Sequence, residues 1–86
     1  MKKLEVAVTL KSIKKIEEVF EEMELSFHFH TVKAEKKKYG IYSVLVPNEI
    51  VDELIYKISN MIDLRLKENT ISLFNADGYV SHTLTD

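Results

Sequence analysis

The sequence predicts an α+β plait, a four-stranded antiparallel sheet with two helices packed on one face. Three observations predict it. Hydrophobic periodicity alternates along the chain between two and three-to-four, in the order strand, helix, strand, strand, helix, strand. The chain has 86 residues with only two Gly and one Pro, a composition for regular elements on short connections. Right-handed crossovers then make the ferredoxin-like βαββαβ plait the simplest arrangement, with residues 1–86 as a single domain.

Leu4, Val6, Val8 and Leu10 alternate with Glu5, Ala7 and Thr9, which predicts a first strand with one apolar face. Ser12 is positioned to cap a helix whose apolar stripe is Ile13, Ile16, Val19, Phe20 and Met23. Its other face carries Lys14, Lys15, Glu17, Glu18, Glu21 and Glu22, with Lys14 and Glu18 spaced as a helical ion pair.

From Leu25 to Ala34 the period returns to two, with Phe27 and Phe29 expected toward the helices and His28 and His30 toward the open side. The run from Glu35 to Gly40 reads as a charged hairpin connection in which Gly40 is available for a positive φ. A third strand, Ile41 to Val46, is rich in β-branched and aromatic residues and stops at Pro47. Asn48 is a good cap for the second helix, and Glu49, Asp52 and Glu53 suit its positive end. The core stripe of that helix is Val51, Leu54, Ile55, Ile58, Met61 and Ile62. Thr70 to Phe74 forms the last strand, Leu64 and Leu66 allow a short extra one before it, and Asp77-Gly78 marks a turn.

Composition removes several classes of function. Twelve Lys and Arg against 14 Asp and Glu give a formal charge of −2, so there is no whole-chain electrostatic case for nucleic acid as a partner. Without Cys there is no disulfide framework, thiolate zinc site, iron–sulfur cluster or Cys nucleophile, and no cofactor is expected. No apolar run approaches the roughly 20 residues of a membrane span. Glu5 interrupts any signal-peptide core after Met1-Lys2-Lys3, so the expected compartment is the cytoplasm.

The sharpest local signal is His28 with His30, because residues two apart on a strand project the same way and two imidazoles can share a metal. A zinc site needs at least a third ligand, which only tertiary proximity of His82 would supply, and partly exposed strand histidines are the commoner outcome. Lys36, Lys37 and Lys38, with Lys33, form the densest positive patch, a candidate anion-binding site at a hairpin tip. A solvated turn that discourages edge-to-edge pairing is the plainer account. Lys11, Lys14 and Lys15 offer a second anion patch, balanced by Glu17 and Glu18. There is no nucleophile-elbow serine or phosphate-binding glycine loop. Tyr39-Gly40-Ile41-Tyr42 echoes the RNA-recognition aromatics only faintly, and Tyr42 is better read as a core or interface aromatic. No catalytic residue is therefore assigned.

The segment from Tyr42 through Pro47-Asn48-Glu49 to Leu54, then Asp63-Leu64-Arg65, Lys67 to Ile71 and Ala76 to Ser81, resembles the soluble N-terminal portion of the membrane-protein family called domain of unknown function 389. That resemblance implies a short ferredoxin-like region that precedes a multi-helix hydrophobic domain, so this chain would be either the cytosolic domain of a larger membrane protein or a stand-alone relative. The strand-Pro-helix stretch is also similar to P-II-type nitrogen signal proteins, which share the double βαβ plan and trimerise through their sheets. Those proteins carry a long ligand-binding loop where this chain has a short charged turn, and no functional residue carries over from either family.

The function expected on these grounds is a non-enzymatic regulatory or assembly module. It would act by self-association as a homo-oligomer, or by docking a small-molecule ligand or partner on its open sheet face. A small-molecule or metal sensor with His28 and His30 in its site is the alternative.

Overall fold

The structure, a computed structural model, describes residues 1–75. The Asp77-Gly78 turn and His82 lie outside the described residues. Four strands, β1 (Lys2–Thr9), β2 (Phe27–Ala34), β3 (Lys37–Val46) and β4 (Thr70–Asn75), form one sheet in the order β2-β3-β1-β4. All neighbours are antiparallel. Two helices, α1 (Ile13–Glu22) and α2 (Val51–Met61), pack on one face, as the ferredoxin-like plait requires.

Alternation decides which side chains enter the core. Leu4, Val6 and Val8 of β1 and Tyr42, Val44 and Val46 of β3 are buried beneath Ile16, Val19 and Phe20 of α1 and Val51, Leu54 and Ile58 of α2. Phe27 and Phe29 join this side. Phe27 lies 5.2 Å from the rings of both Phe20 and Tyr42, and Phe29 lies 4.7 Å from Tyr42. Such tilted and edge-on packing follows the ring quadrupoles and adds to the burial itself. The Tyr42 hydroxyl donates to Glu17 Oε2 at 2.7 Å and contacts the Ile13 carbonyl at 3.3 Å, so this core aromatic keeps its polar end satisfied.

Both helices start differently from the expectation. A 3-10 turn, Leu10–Ser12, runs directly into α1, so Ser12 already has helical backbone and its side chain makes no cap. Asn48–Ile50 likewise forms a 3-10 turn before α2, with Pro47 rather than Asn48 at its cap position. The stripe of α2 also ends sooner than predicted. Met61, the last helical residue, is exposed, while Ile62 is buried because the backbone turns extended there.

The C-terminus of α1 is a Schellman motif. The Leu25 N–H donates to the Phe20 carbonyl at 2.8 Å and the Glu24 N–H to that of Glu21 at 3.0 Å, with Glu24 at φ 56° where glycine is the usual occupant.

The β2–β3 hairpin is tighter than predicted. Ala34 pairs with Lys37, so only Glu35 and Lys36 form the turn, at φ 51° and 71°. Two successive positive φ values make it a type I′ turn, whose twist matches the flanking strands. Gly40 has no positive φ and sits inside β3 under the Phe29 ring, where an added Cβ would lie 2.6 Å from Phe29 Cε1. No short strand forms at Leu64 and Leu66. Residues 63–69 make two tight turns instead, closed by Leu66 N–H to the Asp63 carbonyl and Asn69 N–H to the Leu66 carbonyl.

Candidate functional site

The sheet face away from the helices carries the side chains that alternate with the core. Strand register sets them in rows across the sheet: His28, Ser43, Glu5 and Ser72 in one, His30, Ile41, Ala7 and Thr70 in the next. Small side chains at Ala7, Thr70 and Ser72 leave this face hollow on the β1–β4 side. The β2–β3 hairpin tip and the loop before β4 stand above it as walls.

The result is a trough of about 580 Å³ with Glu5, Ala7, Ile41, Thr70 and Ser72 in its floor and Tyr39 beside them. Ala34, Glu35 and Lys37 line one end, and Lys67 and Glu68 the other wall. Lys37 Nζ donates to Glu68 Oε1 at 3.0 Å, an exposed ion pair that ties the hairpin to the loop. The Glu68 carboxyl is held below the usual range, first by its own backbone N–H and then by Lys37.

The loop wall is anchored from below. Asn69, only 4 % exposed, accepts the Thr9 N–H at 3.1 Å and donates to the Asp63 carbonyl at 2.9 Å. Asp63 in turn accepts from the Arg65 guanidinium and backbone N–H at 3.0 Å, contacts that hold its carboxyl below the ordinary value. Beyond the trough, toward the other end of the sheet, a smaller hollow of about 270 Å³ is bordered by Lys3, His28, Ser43 and Leu45. Lys3 there lies 3.4 Å from Glu5 Oε2.

His28 and His30 both face the open side at the edge of the sheet, as alternation predicts, and both are exposed. Among the described residues, no group of three or more His, Asp or Glu side chains is close enough to hold a metal ion. The four candidate lysines do not share one surface. Lys33 and Lys38 are cross-strand partners on the helix side of the sheet, Lys36 is in the turn, and Lys37 is on the open side with Glu68. Tyr42 is in the core, and burial, followed by the Glu17 carboxylate, pushes its phenol well above the ordinary value.

Lys67, Glu68, Thr70 and Ser72 escaped sequence reasoning as site residues. The available signal was the alternation that places Ala7, Ile41 and Ser72 opposite the core. The fold of residues 63–69 over that face depends on the Asn69 bonds, which have no sequence signature. No protein-family model matches the chain, and no curated protein matches it. Among the described residues, no helix is long and apolar enough to cross a membrane.

Proposed function

We propose that this protein is a non-enzymatic regulatory or assembly module that works through the open face of its sheet, by docking a small ligand in the trough or by self-association. The observation that carries this reading is the trough itself. Its volume falls in the range of about 300–1,000 Å³ that small-molecule sites occupy, and its floor sets Ala7 and Ile41 beside the Thr70 and Ser72 hydroxyls and the Glu5 carboxylate. Acidic and basic groups alternate along its walls, which favours a neutral or zwitterionic amphiphile over a polyanion. Leu45 and Phe74, 38 % and 48 % exposed on the same face, add apolar surface that a partner or second copy would cover.

At the trough wall, Glu68 is held in its ionised form first by its own backbone N–H and then by Lys37. If the chain is the cytosolic part of a membrane protein, one of the two alternatives that the resemblance to domain of unknown function 389 leaves open, the same face would dock against the rest of the parent or a copy of it. Sedimentation across a concentration series, together with a thermal-shift screen of small polar and amphiphilic molecules, tests the proposal. A concentration-dependent mass or a ligand-induced rise in melting temperature supports it. A monomer at every concentration with no shifted melting would overturn it.

A second reading, a small-molecule or metal sensor of the kind related to P-II-type signal proteins, is favoured by one observation. His28 and His30 stand on one face of an edge strand. Imidazole resonances that move on zinc titration support it, and unmoved ones dispose of its metal form.

A further inference from the structure

We infer that β2 pairs edge to edge with β2 of a second copy of this chain, and that His28 and His30 of both copies then form one four-histidine site for a divalent transition metal. The inference extends the sensor reading and does not depend on the trough.

The first ground is the phase of the hairpin. In a two-residue type I′ hairpin the residues flanking the turn exchange both backbone hydrogen bonds, so Ala34, Val32, His30 and His28 direct their N–H and C=O groups to β3. Lys33, Thr31, Phe29 and Phe27 direct theirs outward. β2 is the terminal strand of the sheet, and among the described residues no strand covers that outer side. It carries no Pro, bulge or inward charge over eight residues, the devices that ordinarily protect an edge, apart from Lys33 near the turn.

The second ground is register. An isologous antiparallel pair must join outward-directed residues to each other, which restricts the two-fold to a few positions. With Phe29 opposite Phe29 of the second copy, His28 lies opposite His30 of the second copy, and His30 opposite His28. Those are non-hydrogen-bonded pairs, the closer kind, with Cβ atoms about 4.5–5.5 Å apart. Along each strand the two histidines are about 6.6 Å apart. Four imidazoles at the corners of such a rectangle, all on the open face, can converge on one ion at metal–nitrogen distances near ~2.0 Å.

One chain supplies two nitrogen ligands, and a tetrahedral site needs four. The second copy supplies the missing pair. In the same register Phe29, 38 % exposed at the rim of the aromatic cluster, is covered by its counterpart on the helix side. Lys33 falls opposite Leu25 of the second copy, so no lysine faces a lysine. The inferred occupant is zinc, nickel or copper, the borderline ions that imidazole suits.

The test uses the full chain with zinc chloride alone. Sedimentation velocity is expected to show a doubled mass as zinc is added, with the His28 and His30 resonances moving together. His28→Ala and His30→Ala should each weaken the zinc response by at least about tenfold, whereas His82→Ala should leave it unchanged. Thr31→Pro places a ring where the N–H points outward, a substitution an edge strand tolerates, and should keep both histidines while abolishing the doubled mass. Hydrogen exchange gives the same decision without a variant, because the Phe29 and Thr31 amides become protected only if the edges pair. Zinc bound at constant monomeric mass would overturn the composite site while leaving the sensor reading intact. A zinc dimer with unprotected Phe29 and Thr31 amides, or loss of the response in His82→Ala, would also overturn it.

Discussion

The Asn69 side chain accepts the backbone N–H of Thr9 at 3.1 Å, and this contact closes the end of β1 where β4 no longer reaches it. Pairing between β1 and β4 stops at Ala7 and Thr70, so without Asn69 the Thr9 amide would lose its partner beside the core. The same amide group holds the Asp63 carbonyl, which fixes the wall of the trough to its floor. Asn69→Ala should therefore cost about 1–3 kcal/mol in chemical denaturation, the penalty for stranding partly buried polar groups. Asn69→Asp keeps the acceptor but sets a buried carboxylate oxygen against the Asp63 carbonyl, and should cost at least as much as Ala at neutral pH.

Glu24 occupies the left-handed position of the α1 Schellman motif with a side chain that this backbone disfavours. Replacement by glycine removes the Cβ conflict while retaining both closing hydrogen bonds. Glu24→Gly is expected to stabilise the protein by about 0.5–1 kcal/mol despite the added freedom of the unfolded chain, read as a higher urea midpoint with an unchanged slope.

Gly40 gives the Phe29 ring room to lie against Tyr42. In Gly40→Ala the new methyl meets the ring, which must swing toward solvent and surrender part of its packing. A loss of about 1–3 kcal/mol is expected. The loss should largely vanish when Gly40→Ala is made in a Phe29→Ala background, and the double-mutant cycle measures this coupling directly.

Tyr42 makes stability sensitive to alkali. Its folded-state phenol titrates above the unfolded value near ~10, because burial and Glu17 both disfavour the phenolate. The native state thus retains a proton that the unfolded chain releases. The contribution is fully present below about pH 10 and declines as pH rises from there toward the folded value. Tyr42→Phe should cost about 0.5–1.5 kcal/mol at neutral pH through the lost bond to Glu17, and should flatten the alkaline limb of the stability profile.

Much of the fold was legible because its signals were local. Leu4, Val6 and Val8 alternate against Ala7 and Glu5, and Ile16, Val19 and Phe20 return at helical spacing, so each element announced both its type and its buried side. The turn between β2 and β3 was not legible, since a type I′ turn usually carries Asn-Gly and here it carries Glu35-Lys36, held in place by strand pairing on both sides. Gly40 misled for the related reason that its role is steric rather than conformational. The open face and the placement of His28 and His30 on it followed from alternation. The trough did not, because its walls depend on Asn69 and on the Lys37–Glu68 pair, contacts between residues 60 and 31 positions apart.

The open sheet face is the working surface we propose. Backbone amide and methyl shifts, recorded from micromolar to millimolar protein and then with each compound that raises the melting temperature, test it most directly. Perturbations are expected to concentrate at Ala7, Ile41, Thr70, Ser72 and Leu45, with α1 and α2 undisturbed. Perturbations confined to the exposed faces of the helices, or none at any concentration with any compound, would contradict it.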